Sequence, residues 1–155
     1  MSKSLKRVRA ALAEFGMQDT IRETGQATTA RMAADELGCT VDQIVKSIIF
    51  RGLENDQCIL FLTAGGNQVD AEQAAKLVGQ PLGKADANLI RAQTGFAIGG
   101  VSPIGHLTTP QAFFDPKLME FDLIWGAAGT PRHVFSASPS EILEKSNAQL
   151  AEFTV

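Results

Sequence analysis

Leu5, Val8, Leu12 and Phe15 recur at helical spacing and Gly16 closes the pattern, so residues 3–15 are predicted to form an amphipathic helix. A short extended segment is expected at 19–23. Thr28 and Thr29 stand where a helix over 31–37 needs its N-cap, and Gly38 stands where that helix stops. Thr40 and Gln43 have capping-box spacing for one further turn. The period then changes. Lys46-Ser-Ile-Ile-Phe-Arg51 and Gln57-Cys-Ile-Leu-Phe-Leu-Thr63 are rich in residues that suit a pleated, half-buried surface, and the polar run Gly52–Asp56 between them predicts a hairpin.

Asp70 and Asp86 can cap helices over 71–78 and 87–94, each closed by a glycine, Gly79 and Gly95, with a short strand at 81–85 between them. Phe96-Ala-Ile98 is expected to be a strand that opens into a backbone-exposed loop at Gly99 and Gly100, stiffened by Pro103. Later strands are expected near 107–109, 123–126 and 133–137. Ser138-Pro-Ser-Glu141 has the form of a capping box leading into a helix over 142–147, and 151–155 is a candidate edge strand. Strands and helices mix without a regular βαβ repeat. The expected class is therefore α+β, a mixed β-sheet or partly closed barrel core flanked by helices.

A length of 155 residues suits one well-buried core, so residues 1–155 read as a single domain. No apolar run approaches the ~20 residues of a membrane span, and the basic N-terminus lacks a secretory apolar segment. No membrane partner is expected, and the default location is cytoplasmic. A net charge of −3 argues against a protein that wraps duplex nucleic acid, because that binding draws on many basic contacts to phosphate. A protein that grips one nucleic-acid end remains compatible with it. Cys39 and Cys58 have neither zinc-ligand spacing nor a partnered histidine, and Cys58 sits among apolar neighbours as a small hydrophobe. No metal and no cofactor are expected.

The candidate chemistry lies in two places. Lys46 shares a strand face with Ile48 and Phe50, where it either snorkels to water at the strand end or sets a positive charge at the mouth of a pocket. The Gly99-Gly-Val-Ser-Pro103 loop matches neither a Walker A nor a Rossmann fingerprint, and it is either a barrel corner or a run of exposed N–H donors. Ser102 has no Asp-His pair nearby in sequence, which leaves a serine triad weak. His106 and His133 are the two histidines, and each has a structural reading beside a functional one.

Asp42–Phe50, Leu62-Thr-Ala-Gly-Gly66, Gly95–His106 and Gly129-Thr-Pro-Arg-His133, in this order, resemble the YbaK/prolyl-tRNA synthetase-associated editing domain family. The likeness runs from about residue 19 to the C-terminus. It implies a mixed barrel core with surrounding helices and hydrolysis of the ester of a mischarged tRNA, most often tRNA for proline, by an enzyme acting in trans. The partners it implies are the acceptor end of a mischarged tRNA and prolyl-tRNA synthetase. Lys46, Gly99 and Gly100 would be catalytic, and Val101, Ser102, Pro103, His133 and Thr29 would contact substrate. Relatives specific for cysteine carry aromatic residues in the segment matching Thr20–Ala30, and this chain has none there. Two other classes stay open: a non-catalytic module holding a tRNA end or nucleotide for a synthetase, and a serine esterase using Ser102.

Overall fold

The structure, a computed structural model, describes residues 2–25 and 27–155. Its helices are α1 (Lys3–Glu14), α2 (Ala30–Leu37), α3 (Ala71–Val78), α4 (Ala87–Thr94) and α5 (Pro139–Lys145). Its strands are β1 (Arg22–Glu23), β2 (Val45–Gly52), β3 (Cys58–Ala64), β4 (Leu82–Lys84), β5 (Gln111–Phe114), β6 (Ile124–Ala127), β7 (His133–Ala137) and β8 (Gln149–Leu150). Short 3₁₀ turns cover Val41–Gln43 and Pro116–Glu120. The fold is α+β, as expected.

Two sheets form the core. The larger has the order β4-β2-β3-β5-β8 and is mixed: β2 pairs antiparallel with β3 and β4, whereas β3–β5 and β5–β8 are parallel. The smaller has the order β1-β7-β6 and is antiparallel. A parallel bridge between Ile44 and Trp125 joins them at one corner, beside the start of β2. That corner is where the candidate site lies.

The caps read from sequence form where the local chemistry places them. Thr29 accepts from the Met32 N–H at 3.1 Å, Asp86 from Leu89 at 2.8 Å, and Ser138 and Glu141 make a reciprocal capping box. Each satisfies a donor that the first helical turn leaves open.

Central strand β3 is buried along its whole length and divides the core by alternation. Leu60, Leu62 and Ala64 join Leu5, Val8, Leu12, Phe96 and Phe135 on one face. Ile59 and Phe61 join Phe113, Phe153 and Ala74 of α3 on the other. Phe61 stacks on Phe113 with centroids 5.3 Å apart and meets Phe153 and Phe50 edge-on at 5.0 and 5.7 Å. These are the offset and edge-to-face arrangements that ring quadrupoles favour.

Two expected strands are not strands. Phe96 is fully buried, but its N–H donates to Thr94 Oγ1 at 3.0 Å, so the backbone wraps the end of α4. Leu107 and Thr108 donate to the Thr94 and Gln93 carbonyls at 3.0 and 2.9 Å, satisfying helix-end acceptors instead of a neighbouring strand. The last strand is Gln149–Leu150 rather than 151–155, and the tail is held by Ala151 N–H donating to the Phe114 carbonyl at 3.3 Å and by a bridge between Thr154 and Val69. The final helix starts at Pro139 behind the Ser138 cap, as expected, and ends at Lys145 rather than at 147.

Candidate functional site

A cavity of about 190 Å³ opens where α2, the start of β2, β6, the turn before β7 and the glycine loop converge. Thr29, Lys46, Gly99, Val101 and His133 all line it, although they come from four separate segments of the chain. Its remaining wall is mainly small or apolar: Ala30, Ala33, Val45, Trp125, Ala127 and Val134 are examples. Among the described residues, Lys46 and His133 are the lining side chains able to carry charge.

Lys46 Nζ donates to the Asn67 carbonyl, which uses one of its three N–H bonds. The acceptor is itself fixed. Asn67 Nδ2 donates to Asp115 Oδ2 at 2.9 Å, and the same oxygen accepts from Ala64 N–H at 3.0 Å. Asp115 is 2% exposed and also caps the following 3₁₀ turn through Lys117 N–H. Partial burial pushes the Lys46 ammonium below lysine's ordinary pKa, while the Asp115 and Asp42 carboxylates pull it back up. Gly66 N–H donates to Asp42 Oδ1 at 2.9 Å, which ties the Leu62–Gly66 segment to the same corner.

The glycine loop meets the cavity by its backbone. Gly99 has φ +90°, a conformation side chains disfavour, and a Cβ on Gly100 would lie 2.8–2.9 Å from the Thr130 backbone. Gly100 N–H is spent within the loop, donating to Ala97 O at 3.0 Å. Gly100, Ser102 and Pro103 do not line the cavity; they stand behind its wall. Ser102 is fully buried and its Oγ accepts from Ile104 N–H at 3.1 Å. Pro103 packs against Gly126 from behind. His106 contacts the Ser102 carbonyl rather than its hydroxyl, so the pair a serine esterase needs is not assembled.

His133 is held at both ring nitrogens. Thr130 Oγ1 lies 2.6 Å from Nδ1 and accepts from Arg132 N–H at 3.1 Å, while Glu23 Oε2 lies 3.5 Å from Nε2. With the Thr130 hydroxyl donating to Nδ1, the ring presents Nε2–H toward Glu23. The turn that carries Thr130 also abuts the first turn of α1: a Cβ on Gly129 would fall 2.5 Å from the Ser4 carbonyl oxygen.

The family profile of the aminoacyl-tRNA editing domain matches residues 24–145, a span that contains every cavity residue named above. The chain belongs to this family. Among editing-domain relatives, Bacillus subtilis YwhH, itself uncharacterised, is 31% identical over 142 residues, covering 91% of this chain and 90% of its own. A candidate Cys-tRNA(Pro)/Cys-tRNA(Cys) deacylase, EbsC of Enterococcus faecalis, is 25% identical over 81% of this chain and 77% of its own. A crystal structure of a candidate trans-editing enzyme for prolyl-tRNA synthetase is 41% identical, with a TM-score of 0.92 over 100% of this chain and 99% of that one.

Several residues around this cavity carry no signal in sequence. Asp115, Asn67 and Thr130 act by holding Lys46 and His133, and each is brought in by tertiary structure. Ser47 also lines the cavity, and its Oγ is buried with no hydrogen-bond partner among the described residues. The capping pattern at Thr29, the strand position of Lys46, the glycines of the 99–103 loop and the presence of His133 were local enough to find.

Proposed function

We propose that the protein is a trans-acting aminoacyl-tRNA deacylase that removes a small non-cognate amino acid from tRNA for proline. Family membership supports ester hydrolysis on aminoacyl-tRNA, and the 41% identical trans-editing structure supports the proline system. The observation that carries the reading is the convergence of Lys46 with the backbone edge of Gly99 and Val101 on one cavity. At about 190 Å³ the cavity is below the ~300–1,000 Å³ usual for a drug-sized ligand, so it suits an aminoacyl group with part of its ribose.

The chemistry asks little of side chains. An aminoacyl ester is already activated, and water adds to its carbonyl carbon as negative charge develops on the carbonyl oxygen. The two remaining Lys46 N–H bonds and the loop backbone N–H at Val101 stabilise that charge. The C–O bond to the ribose then breaks and the ribose oxygen takes up a proton, with the vicinal ribose hydroxyl assisting. No metal enters this scheme. Ala30 and Ala33 of α2 leave room for a side chain, and the cavity volume of about 190 Å³ limits it to a small one.

The test is release of amino acid from a panel of mischarged tRNAs by wild type and by Lys46→Ala. Hydrolysis of small non-cognate residues on tRNA for proline, strongly reduced in the variant, is the expected result. Binding without turnover would identify a non-catalytic tRNA-end module instead, and full activity of Lys46→Ala would remove the proposed site.

A further inference from the structure

The loop that presents Gly99 and Val101 to the cavity has a second side. Behind it lies a groove of about 730 Å³ between α1, residues 103–110 and the end of α5, and His106 sits in its wall. His106 Nε2 is 2.5 Å from the Ser102 carbonyl oxygen. A carbonyl only accepts, so Nε2 carries the proton, and Nδ1 is left as a bare acceptor. That Nδ1 is buried and has no partner among the described residues. The ring stands edge-on to Phe96, centroids 5.3 Å apart, and Phe96 is fully buried.

We propose that His106 is a positioning residue for the reaction: its neutral ring, donating from Nε2 to Ser102, fixes the Gly99–Pro103 backbone against the Thr130 turn. The inference rests on the deacylase reading for its catalytic consequence and on geometry alone for its structural one. Three contacts make the loop a single strut. His106 holds the Ser102 carbonyl, Pro103 bears on Gly126, and Gly100 bears on the Thr130 backbone, one residue from which the cavity wall continues. Releasing the first lets the Val101 N–H drift from the position where it meets the scissile carbonyl.

Protonation strains this arrangement, because Nε2–H still holds the Ser102 carbonyl while Nδ1 becomes a donor with nothing to meet. A second proton at Nδ1 would be a buried donor without an acceptor, which costs more than a bare lone pair. Burial accordingly holds the His106 pKa below its ordinary value, with the Ser102 hydrogen bond opposing. The charged groups that share the groove are Arg7 and Glu14 from α1 and Glu144 and Lys145 from α5. Arg7 is engaged with the Gly95 carbonyl at 3.0 Å and Lys145 with Glu144 at 3.4 Å. Glu14 and Glu144 are the carboxylates in the groove that a new donor at Nδ1 would draw toward the ring, pulling on the Ser102 carbonyl that Nε2–H holds.

Two variants separate positioning from mere packing. His106→Phe keeps a ring beside Phe96 and removes the donor, and His106→Gln keeps an N–H donor that cannot titrate. For His106→Phe, kcat on mischarged tRNA is expected to fall about ten- to a hundredfold, the scale of a small misplacement of reacting groups, with KM little changed. His106→Gln should recover most of kcat and lose the part of the acid limb that His106 contributes. In the wild type, the Val101 amide NMR cross-peak should move with the same midpoint as the His106 ring protons. That measurement needs no turnover, so it decides the positioning role even if no tRNA in the panel is hydrolysed. A His106→Phe enzyme with wild-type kcat across pH, or a Val101 cross-peak indifferent to the ring's titration, overturns the proposal.

Discussion

On one face of the β2–β3 hairpin, Phe61 lies among three other rings with centroids between 5.0 and 5.7 Å away, sealed by α3 and the C-terminal segment. At the start of the same hairpin, Lys46 and Ser47 face a cavity lined by alanines, glycines and threonines, with a buried hydroxyl that has no partner among the described residues. The first region is filled by large complementary side chains and hydrogen-bonded throughout its strands. The second leaves space and keeps polar groups unspent, which costs stability and is found where a ligand completes the structure. One hairpin therefore divides into a part that holds the fold and a part that lines the cavity proposed to take the substrate.

That division can be tested by mutations that should separate stability from activity. The largest effect is expected for Phe61→Ala, which removes the central ring and should cost about 3–5 kcal/mol of unfolding free energy in a denaturant titration. The protein that stays folded should keep its cavity and its rate. Loss of activity in proportion to native protein would support the division, and loss beyond it would break it. Lys46→Ala comes next: a lost transition-state donor is worth about 2.7–4 kcal/mol in kcat, or a hundred- to a thousandfold, with the melting temperature little changed.

Asp115 lies on the boundary between the two regions. Asp115→Asn removes a negative charge that raises the Lys46 pKa while keeping much of the side chain's shape. If the ammonium form is the active one, activity declines as pH rises through the Lys46 pKa, and the variant should show that decline at lower pH than wild type. Its disturbed contacts to Ala64 and Asn67 should also cost about 1–3 kcal/mol. The smallest effect belongs to Ser47→Ala. Removing a buried hydroxyl without a partner should raise stability by about 1 kcal/mol. A simultaneous loss of activity would show that the hydroxyl bonds to substrate and would sharpen the contrast between the regions.

Elements whose determinants are local were legible in the sequence. Asp70, Asp86 and Ser138 lie within three residues of the donors they satisfy, and the three helices they start were found. Lys46 could be singled out because one charged residue stood in an apolar alternation. Phe96–Ile98 and Leu107–Thr109 misled because their apolar pattern resembles a strand's, whereas Ile98 and Leu107 stand exposed and the backbones at Phe96, Leu107 and Thr108 bond to the end of α4, a partner that side-chain pattern does not specify. The support of the site was hidden for a related reason: Asp115 acts on Lys46 through Asn67, and the β2–β3 and β3–β5 pairings together bring the three close.

The near-contact between Gly129 and the Ser4 carbonyl gives the N-terminal helix an influence that its distance in sequence from Thr130 and His133 would not suggest. The first turn of α1 acts as a backstop for the turn that carries both residues. An affinity tag or fusion that frays this turn would loosen one wall of the cavity without touching any residue that lines it. Kinetic comparisons between differently tagged preparations should therefore begin by matching what precedes Lys3.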